Sequence, residues 1–271
     1  MLAPAISRHQ RNPGRFRQSV AESSFDAWTK FYKQDENALN AIVSYYNKGA
    51  LIALGLDVLI RTQSEDRLCL DDLMRDLWQR YGRTQQGVPE RAIEQCLEQM
   101  LEQSVDDFFQ AYVYGTEPLP LSQWLAEFGI GMALRCPRDP SDQGGFVAKA
   151  SAVAPAQASL QAVTEQRPNG LFIVRVSRDG AAEKAGLGVG DQLVAIDDEQ
   201  VTSANLEQLL RRKPLGSQAT VSYFHRHLLR HTTLELQAGP QDTCDLYWLD
   251  SHQLTTEIRQ RKNHWLASVR G

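Results

Sequence analysis

A change of period divides this chain. From Asn40 to Arg61 the apolar residues Ile42, Val43, Tyr46, Leu51, Leu54, Val58 and Leu59 recur mostly three to four apart. That is the spacing of one helical face, and the centre of the stretch is apolar nearly all round, as in a helix buried inside a larger body. Beyond Gln161 the apolar residues fall instead into short runs bounded by turn residues. Leu171–Val176 and Gln192–Ile196 read as buried strands, Thr220–Phe224 and Thr232–Leu236 as a strand pair, with a helix over Asn205–Arg212 between them. A chain of 271 residues has room for one large or two ordinary domains, and the two periods favour two.

The first half continues helical. A helix is predicted over Leu70–Tyr81, with Asp71 and Asp72 in its first turn, where carboxylates complement the helix dipole, and Leu70, Leu73, Leu77 and Trp78 as its inner stripe. Pro89 sits where a first-turn proline belongs, ahead of Ile93, Leu97 and Leu101. Ser104–Asp107 has capping-box spacing before Phe108, Phe109 and Tyr112, and a short helix follows around Ser122–Phe128. Composition shifts at Cys136: Pro137–Gln161 is rich in Pro, Gly, Ser and Ala and lacks a periodic face, so it reads as a linker or a loose first strand. The expected division is a helical body over 1–135, a linker over 136–162, a small mixed barrel over 163–240, and a tail over 241–271 that packs back on the body.

Charge and cysteine usage exclude several functions. A net charge of −4 gives no chain-wide footprint for nucleic acid or an anionic membrane, and the basic stretch Arg8–Arg17 lacks interleaved aromatics apart from Phe16. Cys69, Cys96, Cys136 and Cys244 are far apart and form no zinc-knuckle or redox pair, so they read as idle thiols in a reducing compartment. Met1–Ile6 is too short for a signal-peptide core, and no apolar run reaches the roughly 18 residues of a membrane span. The sequence as it stands is expected to be cytoplasmic, an expectation that lapses if its natural start lies upstream. His225, His227 and His231 alternate near a hairpin and offer imidazoles from one face, yet no carboxylate or cysteine is near in sequence, so a polar hairpin tip is preferred to a metal site. Neither Gly-x-Ser-x-Gly nor a phosphate loop is present.

Asn169–Val174, then Asp179–Leu187, then Gly190–Ile196 resemble bacterial PDZ domains closely, with the Ala-Gly-Leu-x-x-Gly-Asp core standing at Ala185–Asp191. The resemblance runs from Val163 to Gly239 and implies binding of an extended peptide or protein C-terminus by strand addition. The peptide is expected beside Leu171, Phe172, Ile173 and Val174, with the N–H groups of Gly170, Leu171 and Phe172 cradling a carboxylate. A side chain at residue 170 would block that approach. By resemblance, the other wall is the helix bearing Leu206, Leu209 and Leu210. The alternative is a groove filled by the protein's own chain.

Arg15–Trp28, Asp35–Asn37 and Val43–Gly49, extended by Arg61, Leu70–Asp72, Trp78-x-x-Tyr81 and Tyr112–Leu121, resemble the glycyl aminopeptidases, a family of gluzincin zinc metallopeptidases. The match spans Asn12–Leu134, and these enzymes commonly carry a PDZ domain next. The resemblance implies a fold of α plus mixed β: the helical C-terminal part of a gluzincin domain, then a PDZ-like barrel with two helices. It implies zinc in the intact family member, held by His-Glu-x-x-His on a helix. That motif is absent here, so no residue of this chain is expected to ligate the metal, and the zinc-bearing segment is expected ahead of Met1. Within the family's Tyr-x-Lys-Gly, Tyr46 matches the phenol that donates to the oxyanion of the tetrahedral intermediate, with Tyr45 the weaker candidate. Lys48 is a candidate ion-pair partner. Glu22, Asp26 and Glu36 are candidates to receive a substrate amino group, though each reads first as a surface or capping carboxylate. The functional expectation is the C-terminal portion of an aminopeptidase releasing N-terminal glycine-type residues, inactive alone, possible partners being its missing N-terminal half and a peptide in the PDZ groove. The competing expectation is a non-catalytic PDZ adaptor.

Overall fold

Helix α1 (Leu2–Gln10) opens the computed structural model, which describes residues 1–139, 141–149 and 155–268. It is followed by α2 (Val20–Phe25), α3 (Ala38–Ala41), α4 (Tyr45–Gln63), α5 (Leu70–Leu77), α6 (Ala92–Leu101), α7 (Asp106–Tyr112) and α8 (Leu121–Ala126). Strand β1 (Ile130–Arg135) follows, and β2 (Gly145–Phe146) comes after a loop. The expected long helix from Asn40 starts five residues later. Ile42 is extended (φ −121°, ψ 156°), the Val43 N–H donates to Gln18 Oε1 and the Val43 carbonyl accepts from Ser23, so Ile42 and Val43 form a tethered connector. Ser44 then caps α4 by accepting the Asn47 N–H at 3.2 Å. The expected Leu70–Tyr81 helix ends as α5 at Leu77 and gives way to a π-helical turn over Trp78–Gly82.

α4 runs between two clusters. On one side Leu51 and Ile52 meet Ile6 of α1 and Leu121, Trp124, Leu125 and Phe128 around α8. On the other, Leu56 and Ile60 meet Leu73, Leu97 and Phe109 from α5, α6 and α7. Each fully buried leucine or phenylalanine contributes about 1.5–3 kcal/mol. α4 is thus packed against both clusters. Exposed apolar side chains include Phe25, Trp28, Tyr32 and, in the first turn of α4 itself, Tyr46.

The second body begins with β3 (Ala158–Ser159), β4 (Ala162–Arg167) and β5 (Gly170–Val176), then α9 (Ala181–Lys184), β6 (Gln192–Ile196) and β7 (Glu199–Gln200). It is completed by α10 (Leu206–Arg211), β8 (Gln218–His225), β9 (Leu228–Glu235) and β10 (Gln237–Ala238). The main sheet runs β4-β5-β6-β8-β9 with β7 beside β6, and β3 pairs with β10 apart from it. Among the described residues this is an open sheet with two helices rather than the expected closed barrel: β4 ends one edge and β9 the other, and no ladder joins them. Leu160, Leu171, Ile173, Leu193, Leu210 and Val221 form its own core.

The chain then returns. β11 (Thr243–Trp248) lies between β1, antiparallel from Ile130↔Trp248 to Arg135↔Thr243, and β2, parallel. α11 (Thr256–Ser268) closes the first body, with Trp265 stacked on Phe128 (ring centroids 4.6 Å) and Arg261 bridging Asp66 and Glu127. The small sheet body is therefore an insertion between β2 and β11 of the first. Part of the stretch read as a linker becomes strand because β2 and β3 find partners far away in sequence. Pro140 and residues 150–154 of that stretch, and 269–271 of the tail, lie outside the described residues.

Asn40 fastens the two bodies. Its Nδ2 donates to the Val176 carbonyl at 2.8 Å and its Oδ1 accepts the Arg178 N–H at 3.1 Å, an amide imitating a strand partner. Asn40 is buried. Asn40→Ala strands two backbone groups, a loss of about 1–3 kcal/mol. The expected result is amide exchange at Arg178 at least roughly tenfold faster, with exchange in the β8–β9 pair unchanged.

Candidate functional site

Tyr45 and Tyr46 are the first two residues of α4, presented by the Ser44 cap and the Ile42–Val43 connector. Facing them is Tyr32, at the end of a π-helical turn over Ala27–Phe31. The three hydroxyls converge: Tyr32 Oη lies 2.9 Å from Tyr46 Oη and 3.1 Å from Tyr45 Oη. The rings are packed, Tyr45 on Tyr46 at 4.2 Å, Phe31 edge-on to Tyr45 at 5.2 Å and Trp28 against Tyr32 at 5.1 Å. Hydrogen bonding with Tyr32, then Tyr45, lowers the pKa of Tyr46, and the bond with Tyr32 raises that of Tyr45. Tyr46 is 61% exposed, so its acidified phenol faces outward. Tyr32 was not singled out in the sequence, although Phe25, Trp28, Phe31 and Tyr32 at near three-residue spacing were the available signal.

Lys48 departs from expectation. Its side chain is 1% exposed and Nζ has no hydrogen-bond partner among the described residues, so it is not an ion-pair partner. Burial, and then Arg15, depress its pKa. Burial likewise lowers His9 to about 3, with Arg15 and Lys48 adding to the effect. Glu22 and Asp26 both bind Lys30, at 3.4 and 2.6 Å, and Glu36 is exposed. The thiols are unpaired, and burial pushes Cys244 up to about 12.

Zinc does not fit the residues in hand. Among the described residues no group of three or more His, Cys, Asp or Glu side chains could hold a metal ion, and no step through zinc is built on this chain. His225 Nδ1 is bound to buried Asp191 at 2.7 Å and His231 Nδ1 to Ser222 at 2.9 Å. Among the described residues no helix is long and apolar enough to cross a membrane.

In the second body the strand expected to receive the peptide, β5, has partners on both sides. β4 pairs with β5 from Val176 to Gly170, and Leu171 and Phe172 pair with β6 on its other edge, where the Ile173 N–H also donates to the Asp191 carbonyl. Leu171 and Ile173 are core residues, and so are Leu206, Leu209 and Leu210, which face inward from α10. Gly170 (φ +144°) closes the β4–β5 hairpin, and a side chain there would strike Gln192, whose Nε2 donates to the Asn169 carbonyl. Its bare backbone serves local packing. The open edge belongs to β4, whose only ladder is to β5 among the described residues. Its exposed residues, Val163 apart, are polar and include the ion pair Glu165–Arg167, and that polarity hid it from an apolar-run reading. Just before β4 a cavity of about 290 Å3 is lined by Ala158, Ser159, Arg138, Glu207, Arg211 and Pro240.

Comparison with known proteins agrees with this layout. Residues 1–52 match the family model of the M61 glycyl aminopeptidases, and residues 152–236 that of the PDZ domain. An aminopeptidase N family protein from Idiomarina loihiensis is 36% identical with a TM-score of 0.82, over 95% of this chain and 43% of that one. This chain therefore spans less than half the length of that protein. The HtrA-type protease AlgW with a decapeptide (19% identity, 31% of this chain and 30% of that one, TM-score 0.30) also matches. So does a serine endoprotease from Yersinia pestis (16%, 31% and 30%, TM-score 0.29). No curated protein matches. The chain thus joins a stretch similar to the M61 glycyl aminopeptidases, over residues 1–52, to one similar to PDZ domains, over residues 152–236.

Proposed function

We propose that this chain is the C-terminal portion of a zinc-dependent aminopeptidase acting on peptides with N-terminal glycine-type residues, and that its PDZ domain binds a peptide along β4. The convergence of three phenols at the start of α4 supports the first part most directly. When water adds to the scissile carbonyl, negative charge develops on its oxygen, and an outward, hydrogen-bonded phenol such as Tyr46 can donate to it without reorganising. The zinc and the general base come from a segment other than this chain. The exposed aromatic surface of Phe25, Trp28, Tyr32 and Tyr46 is the kind of patch that such a segment, or a substrate, covers.

For the PDZ domain, the open edge of β4 supports strand addition there. Titration with a hexapeptide carrying a free C-terminus should shift and protect the amides of Ala162–Arg167, leaving the doubly paired Leu171–Ile173 little changed. Perturbation confined to β5 would contradict this placement. A non-catalytic adaptor remains the second reading, and it too uses β4.

A further inference from the structure

We propose that Tyr32 is a positioning residue, whose hydroxyl donates to Tyr46 Oη and so leaves the Tyr46 proton free to point at a ligand oxygen. The inference rests on the oxyanion role proposed above for Tyr46. Its basis is geometric. Tyr32 Oη is in hydrogen-bond contact with both other hydroxyls, at 2.9 and 3.1 Å. Its ring packs against Trp28 at 5.1 Å and meets Phe31 edge-on at 5.4 Å.

Each hydroxyl has one proton and can donate once. For Tyr46 to donate outward, it must accept from Tyr32 rather than donate to it. Tyr32 is then left to accept from Tyr45. The three protons are aligned Tyr45→Tyr32→Tyr46→ligand, and no proton changes owner. The opposite directions of the pKa changes fit this order, the chain's first donor being made less acidic and its last more acidic. Aligned hydroxyls polarise one another, so the terminal donor is stronger than an isolated phenol. Tyr45, which carries no outward bond in this scheme, serves as the chain's far end. This gives the second tyrosine of the pair a role distinct from that of Tyr46.

The test is ultraviolet titration of phenolate absorbance in the full chain, with Tyr46 isolated as the difference between parent and Tyr46→Phe. In Tyr32→Phe the Tyr46 transition is expected at higher pH, and in Tyr45→Phe it should move in the same direction by less. Tyr32 is half exposed, so loss of its hydroxyl leaves the core intact, and an unchanged melting temperature verifies this. An unmoved Tyr46 transition in Tyr32→Phe overturns the inference whatever the activity. In an enzyme that includes the zinc-bearing segment, Tyr32→Phe should lower kcat roughly tenfold with KM little changed, the effect of one hydrogen bond to a developing charge. A shifted transition with Tyr46→Phe fully active would instead overturn the oxyanion role, and with it the catalytic use of Tyr32.

Discussion

Tyr46→Phe is expected to lower kcat by about 10²–10³-fold in an enzyme that unites this chain with its zinc-bearing segment, the usual consequence of removing one oxyanion donor. The ring stays, packed on Tyr45 and near Phe31, so substrate affinity and metal content should change little. Loss confined to kcat and kcat/KM together is the signature of a contact made only in the transition state. Tyr45→Phe should cost much less, since its hydroxyl, bonded to Tyr32 at 3.1 Å, lies further from the developing charge in the proposed order. Steady-state kinetics on a glycyl peptide, with zinc content measured alongside, separate these outcomes. A rise in KM alone would make Tyr46 a substrate-binding residue and not an oxyanion donor.

The second large effect is structural. Arg135, at the end of β1, binds Asp245 of β11 at 2.7 Å and Asp142 at 2.5 Å, in a seam where all three side chains are nearly buried. The Arg135 guanidinium holds the Asp142 carboxyl well below the usual carboxylate range. Arg135→Met leaves two carboxylates without their cation, a loss of about 3–5 kcal/mol. Urea denaturation should show this as a lower midpoint. The triple change with Asp142→Asn and Asp245→Asn should lose less, because no charge is stranded. The pH dependence has a definite sign. A depressed carboxyl contributes stability that is fully present above the ordinary carboxylate pKa of about 4 and is lost as pH falls through the lower folded value. The parent should therefore weaken on acidification below about pH 4, and the triple variant should have a flatter acid limb. Because this seam anchors the returning strand, its failure would release the PDZ domain from one of its two attachments.

Much of this organisation was legible in the chain, for identifiable reasons. Helical period marked α4 and α5, and the Ala185–Asp191 turn marked the PDZ domain, because both patterns are local. The start of α4 was misplaced because Ile42 and Val43 continue the apolar rhythm while their backbone is fixed by Gln18 and Ser23, partners about 20 residues away. β11 and its pairing with β1 could not be read from a tail of mixed composition, since register across more than 100 residues is set by tertiary contacts. The same limit moved the proposed peptide edge from β5 to β4. Sequence shows that Leu171–Val176 is a strand, but which edge of it is free depends on the neighbours it acquires. Tyr46 was identified by resemblance, whereas Tyr32 emerged only when folding brought the π-helical turn against the start of α4.

The measurement that bears most directly on the central proposal is zinc-dependent release of glycine from a glycyl peptide, made in parallel on this 271-residue chain and on an enzyme in which a His-Glu-x-x-His segment is joined to it. The expected result is turnover by the joined enzyme and none by the chain alone. Turnover by the chain alone, or a joined enzyme that binds zinc and remains inactive, would contradict the account.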